Sequence, residues 1–212
     1  MSGVLAVVGA ASLARSAGRP QRLFAAIPLI FAAQQATEGV VWTTMGAGAD
    51  STLHRAAVDA FLGIALVVWP MWLPFSLRQI EKDAVRRRAL TGLCWLGGAV
   101  SATALVLLLK WQPVALVVGH SIRYDYAGST DALQSFINLA AYVTATVVPY
   151  FVSTARMIRT IGLTFVVSLL IVYAVQRDVL TSVWCFFAAV ISGLILLAVA
   201  QVQPQTTSAQ VV

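Results

Sequence analysis

Three side chains in an otherwise apolar run have the chemistry to bind something: Gln34, Gln35 and Glu38 lie inside FAAIPLIFAAQQATEGVVW, residues 24–42. A carboxyl group at bilayer depth can take a proton or a cation, amides beside it can hold it by hydrogen bonding, and such costly groups ordinarily face the protein interior. Gln34 and Glu38 are four apart, Gln35 and Glu38 three apart, and Trp42 follows Glu38 by four. The spacing predicts one helical face of Phe31, Gln34 or Gln35, Glu38 and Trp42. The plainer alternative is a protonated acid that hydrogen-bonds Gln34 and locks helix packing. Further candidates follow along the chain. His54, Arg55 and Asp59 open the next apolar segment, where Asp59 could equally be the i,i+4 partner of Arg55. Asn138, Tyr142, Thr146, Tyr150 and Ser153 recur at intervals of three or four, with Pro149 releasing the carbonyl of Ala145. Ser182, Trp184 and Cys185 open the last apolar run, and His120 sits in a short turn.

These residues need elements to position them, and composition says which kind. Of 212 residues, 59% are hydrophobic and 10% charged, with mean hydropathy +0.85. Soluble domains carry about 25% charged residues, so the pattern is that of a multi-pass protein whose partner is the lipid bilayer. The expected fold class is an all-α membrane protein, a seven-transmembrane-helix bundle with a short β-hairpin lid between helices 4 and 5. Helices are expected over residues 3–14, 22–45, 52–77, 89–109, 133–156, 160–175 and 180–202, with the lid at 112–127. They form one domain over residues 1–203, followed by a flexible cytoplasmic tail at 204–212. A spanning helix needs roughly 17–25 residues, so the first is a short, small-residue helix packed inside the bundle. Pro28 predicts an early kink, and Pro70 and Pro74 a bend or end where Trp69 and Trp72 meet the headgroups. Cys94, Gly97, Gly98 and Ser101 make a close-packing face. Two β-prone runs, 114–118 and 121–126, flank Gly119-His120, and a glycine in first place suits a two-residue hairpin turn. In the second run Ile122, Tyr124 and Tyr126 alternate with Ser121, Arg123 and Asp125, so one side can lie on the bundle.

The net charge of +6 is carried by short loops beside apolar runs, which argues against nucleic acid. With seven spans, Arg15, Arg19, Arg22, Arg78, Lys82, Arg86, Arg87, Arg88, Arg156 and Arg159 share one side, against Arg55, Lys110, Arg123 and Arg177 on the other. The positive-inside rule then places the protein in the cell (inner) membrane with its N-terminus outside and its C-terminus cytoplasmic. Cys94 and Cys185 differ in depth by more than a disulfide spans and read as packing residues. In this orientation the polar groups share the outer leaflet. If their faces converge, they line a cavity formed by Gln34, Gln35, Glu38, Trp42, Asp59, Asn138, Tyr142, Trp184 and Cys185, with His120 on the lid above.

The strings FAAIPLIFAAQQATEGVVW, VVWPMWLPFSL, GHSIRY, TVVPYFVSTAR and SVWCFFAAVIS together resemble a family of bacterial seven-helix membrane proteins of unknown function. In that family a QQ-x-x-EG-x-x-W motif and a terminal S-x-W-C-F-F-A-A motif recur. The resemblance runs from about Phe24 to Ser192, and MSGVLAVV lacks the Cys-Phe-Ser start expected of the family. It implies the architecture and supplies no reaction. Two classes of function fit the residues. One is a binding protein, such as a sensor, carrier or transporter component, that takes a small polar or cationic ligand or a proton into the carboxylate-lined cavity. The other is a membrane-embedded hydrolase of lipid amides or esters, with a divalent metal as cofactor on His54, His120, Asp59 and Glu38. Seven spans in this orientation look like the alkaline-ceramidase type of hydrolase, whose metal site needs three histidines where this chain has two. A retinal-binding opsin is disfavoured, because Lys82 and Lys110 are the only lysines and neither lies in the seventh segment. A structural subunit of a membrane complex, or an oligomer, is the plain alternative.

Overall fold

The computed structural model describes residues 1–47, 51–119, 121–125, 132–175 and 180–201. The chain is mostly helical, with one small sheet. In order it forms α1 (Ser2–Ala14), α2 (Arg19–Ala25), α3 (Ile27–Thr44), α4 (Thr52–Leu62), α5 (Trp69–Ile80), α6 (Ala84–Trp111), β1 (Val114–Val118), β2 (Ser121–Asp125), α7 (Ala132–Val152), α8 (Arg156–Val175) and α9 (Leu180–Gln201). Some of these are parts of longer rods. Arg19–Thr44, Thr52–Ile80 and Ala84–Trp111 are long and apolar enough to cross a membrane, while Ser2–Ala14, Asn138–Val152 and Ala188–Ala200 are shorter apolar helices. Among the described residues, length and hydropathy therefore pick out three spans rather than seven.

The interruptions in these rods follow from proline. Pro28 has no N–H to donate, and the chain breaks at Ala26 between α2 and α3. The neighbouring Leu23 carbonyl accepts from the Trp72 indole of α5 at 3.1 Å. Between α4 and α5 the rod does not end at Pro70. It widens into a π turn, Gly63–Val68, in which the Trp69 N–H bonds back five residues to the Ile64 carbonyl. The next donor in that pattern would be Pro70, which has none, so the Ala65 carbonyl takes the Tyr142 hydroxyl of α7 at 2.7 Å. The Val67 carbonyl accepts from Ser101 of α6 at 2.6 Å. Pro74 likewise leaves the Pro70 carbonyl without its helical donor, and that oxygen lies against Gly97 so closely that any Cβ there would collide with it. The irregular stretch is thus fixed by side chains and a glycine from two neighbours, which satisfy backbone carbonyls that the helix leaves without partners.

Two apolar clusters hold the elements. The larger joins α1, α2, α3, α5, α7, α8 and α9 through residues such as Leu5, Phe31, Leu73, Tyr150, Ile161 and Ile195. α1 packs on α3 and α9, with Gly9 against Leu29, while Val4 and Val7 face outward. The smaller cluster seats the hairpin: Val41, Val58, Phe61 and Leu108 surround Ala115 and Ile122. The strands are antiparallel, with Val114 opposite Asp125 and Val118 opposite Ser121. Gly119 has φ 60°, the left-handed conformation that the first position of such a tight turn requires. Ile122 is buried and Tyr124 stacks on Phe61 at 5.0 Å, so these two lie on the bundle as expected, while Tyr126 falls outside the described residues.

Candidate functional site

The polar face of α3 is inside the protein. Gln34 is 2% exposed, and its Oε1 accepts the Trp69 indole N–H at 2.6 Å. Trp69 also tilts against Phe31, with ring centroids 4.4 Å apart. Glu38, one turn further on, is 6% exposed. The Gln35 Nε2 is buried without a hydrogen-bond partner among the described residues, an unmet donor beside the acid. The predicted face needs one correction at its end. Val41 is fully buried and Trp42 is 39% exposed, because the inward stripe advances from Glu38 by three residues rather than four. Trp69 and Trp72 turn inward and donate to Gln34 and Leu23.

His54, Arg55 and Asp59 sit where α4 begins, at the hairpin end of the bundle. Together with Leu105, Leu108 and Leu109 of α6 and the base of the hairpin, Gln112 to Ala115, they line a cavity of about 480 Å³. Gln112 closes α6 in a left-handed conformation, φ 38°, and so turns the chain over this cavity. His54 is buried, and its Nδ1 lies 2.9 Å from the Thr44 hydroxyl of α3. That hydroxyl already donates to the Val40 carbonyl at 2.7 Å. With the Thr44 proton so placed, a His54 Nδ1–H donates to Thr44, the tautomer that leaves a lone pair on Nε2. Asp59 is exposed on the wall and has no hydrogen bond or ion pair among the described residues.

Asn138 and Tyr142 line a second cavity of about 380 Å³ between α6, α7 and the π turn, with Leu66, Ala104 and Leu108 on its walls. Of the remaining residues of their stripe, Thr146 and Tyr150 are buried on α7, and Ser153 is buried just past its end. On α6, Gly97 and Ser101 form the close-packing face, whereas the space beside Gly98 is open and Cys94 is a free thiol. His120 lies outside the described residues, as do the side chains of Trp184 and Cys185, although α9 itself packs against β2. Among the described residues no three His, Cys, Asp or Glu side chains come together to hold a metal ion. Of the set His54, His120, Asp59 and Glu38, His54 has one nitrogen engaged by Thr44 and Glu38 is buried on α3.

One cluster was not foreseen. Glu81, in the α5–α6 connector, is 5% exposed and gathers four donors: the backbone N–H of Lys82 at 2.9 Å, Asp83 at 3.0 Å and Thr154 at 2.8 Å, and the Thr154 hydroxyl at 3.0 Å. Burial alone pushes this carboxyl up, but the hydrogen bonds outweigh it and hold the group below its ordinary value. Beside it, Arg86 donates to the carbonyls of Val152 and Ser153 at the end of α7, and Asp83 caps α6 by accepting from the Arg86 N–H. The signal was available as two acids, Glu81 and Asp83, inside the basic stretch RQIEKDAVRRR, but nothing local names Thr154 as the partner of Glu81.

Comparison with known proteins finds no match among curated proteins or solved structures. A family model does match, over residues 1–211, and by that match the chain belongs to DUF6629, a family of unknown function.

Proposed function

We propose that this is a seven-span inner-membrane protein, N-terminus outside and C-terminus cytoplasmic, that binds a small cationic ligand or a proton in the cavity beneath the hairpin. The observation that carries this reading is the exposed Asp59 carboxylate on the wall of a cavity that His54 also lines. Asp59 supplies the charge, and His54 Nε2 supplies an acceptor for a ligand N–H or a proton. Gln34, Gln35 and Glu38 form a deeper polar layer on α3, a second station for a proton or ion that leaves the cavity. Asn138 and Tyr142 flank the site from α7, Trp42 stands near the end of α3, and His120, Trp184 and Cys185 are further residues assigned to it from their types and sequence positions.

The distribution of connectors supports the orientation. α6 has 28 residues and rises about 42 Å, so its two ends lie on opposite sides of a bilayer. Arg78, Lys82 and Arg86 to Arg88 lie at its start, and the hairpin lies at its end. The Glu81 to Thr154 and Arg86 to Val152 bonds bring the α7–α8 connector to the same side as the basic stretch.

The test is a thermal-shift screen of the purified protein against small organic and inorganic cations at constant ionic strength, with Asp59→Asn and Glu38→Gln in parallel. A ligand at a hundred times its Kd stabilises by about 2.7 kcal/mol, which is readily measured. A cation that stabilises the parent chain but not Asp59→Asn supports the site. If every stabilising cation acts equally on Asp59→Asn, the assignment of the charge is wrong. If Glu38→Gln changes neither ligand response nor proton uptake, Glu38 is a packing residue.

A further inference from the structure

The polar cavity beneath the hairpin and the apolar cavity beside the π turn share a wall residue, Leu108. One carries His54, Arg55 and Asp59, and the other runs along α6 and α7 from Leu96 past Ala104, with Asn138 and Tyr142 on the α7 side. From Leu96 to Leu108 α6 rises about 18 Å, the scale of a single extended alkyl chain. We infer that the two cavities form one binding site for an amphiphile, with a primary ammonium head at Asp59 and His54 and one apolar chain laid in the groove between α6 and α7. This rests on the cationic-ligand reading and names its class.

The chemistry divides in two. Asp59 has no hydrogen bond or ion pair among the described residues, and an exposed carboxylate on a wall that also carries Leu105, Leu108 and Leu109 favours a cationic partner that brings its own apolar surface. The His54 ring offers a lone pair at Nε2, so the head must carry an N–H, which distinguishes a primary ammonium from a quaternary one. The chain gains little by leaving lipid for an apolar groove, because bilayer tails are as apolar as leucine. The head therefore supplies most of the selectivity, and the groove fixes where the chain lies. Such a head occurs both on free long-chain amines and on aminophospholipids.

The experiment is isothermal titration of the full chain in phosphatidylcholine nanodiscs, with protein-free nanodiscs subtracted, using dodecylamine, dodecyltrimethylammonium, dodecanol, ethylamine and a lysophosphatidylethanolamine. Dodecylamine is expected to bind at least tenfold more tightly than dodecanol or dodecyltrimethylammonium. Asp59→Asn should remove that advantage and leave dodecanol unchanged. Ala104→Phe, which fills the groove, should weaken dodecylamine at least threefold and leave ethylamine unchanged. Because Asp59 is exposed and Ala104 half-buried, both variants should retain the parent melting temperature within a few degrees, and that is checked first. Tighter binding of the lysolipid than of dodecylamine names phospholipid as the source, and the reverse names a free amine; either order supports the shared chemistry. Ethylamine binding as tightly as dodecylamine would keep the cationic pocket and overturn the joined site. Equal binding of dodecanol and dodecylamine would overturn the head assignment. If no amine binds, both this inference and the cationic-ligand reading fail.

Discussion

The two ends of the bundle treat an acidic side chain in opposite ways. In the α5–α6 connector, Glu81 is buried beneath four donors that tie together two connectors far apart in sequence. Under the hairpin, Asp59 stands exposed on a cavity wall with no hydrogen bond or ion pair among the described residues. Fully bonded, the first carboxylate can hold structure but has little capacity left for a ligand; the second has that capacity and contributes little to the fold. The difference teaches where to look for function. Buried groups with complete partners rigidify a protein, whereas an unmatched charge in a concave place is retained for something that arrives.

The sharpest way to break this comparison is to remove the tied acid. Glu81→Ala leaves three backbone N–H groups without their acceptor and is expected to cost about 3 kcal/mol, read as a lowered unfolding midpoint in detergent. The same bond set gives a pH dependence of definite sign. Because Glu81 is held below its ordinary 4.5, its stabilisation is present above that value and is lost as pH falls through the lower, folded value. Stability of the parent should therefore fall as pH drops below about 4.5, and Glu81→Ala should show a shallower fall. If the two pH profiles run parallel, the carboxylate is not the group that ties the connectors. Second in size is Gly97→Ala. Its Cβ meets the Pro70 carbonyl, which is backbone and cannot step aside, so a loss of about 2 kcal/mol is expected, while Gly98→Ala next to it, in open space, should change stability by about 0.5 kcal/mol or less. Equal effects at the two glycines would mean that α5 can shift away.

Much of this was legible from the sequence, for reasons that also mark its limit. The hairpin could be read in register because glycine and alternation are local: two β-prone runs around Gly119 leave few ways to pair. Burial of Gln34 and Glu38 could be read because amides and acids in an apolar run have few other places to go. Trp42 could not be placed, because three- and four-residue steps along a helix are both compatible with one stripe until the neighbouring helices choose. The π turn was hidden for a different reason. Pro70 announced a bend, but whether the rod ends or widens depends on Tyr142 and Ser101, which come from other helices. The Glu81 to Thr154 bond spans 73 residues and is invisible to any local rule. The convergence of the polar groups could only be assumed from depth. The described structure places His54, Arg55 and Asp59 on one wall and Gln34 and Glu38 on the buried face of α3.

Between the extremes lies Tyr142, whose hydroxyl both supports the π turn and borders the apolar groove. Tyr142→Phe removes the donor to the Ala65 carbonyl and keeps the ring, so a loss of about 1 kcal/mol is expected, in line with a single hydrogen bond. A much larger loss would show that the π turn depends on this bond rather than on Ser101 and Gly97 together. The smallest structural effect belongs to Asp59→Asn. The side chain is exposed and unpaired among the described residues, so stability without ligand should stay within about 0.5 kcal/mol of the parent. This small number sharpens the comparison most. A residue that costs almost nothing to remove, at a site where removal abolishes a cation's stabilising effect, separates binding from folding, whereas a large loss without ligand would put Asp59 in the same class as Glu81. Midpoints of thermal unfolding for the two variants, each with and without the best ligand of the screen, decide between them.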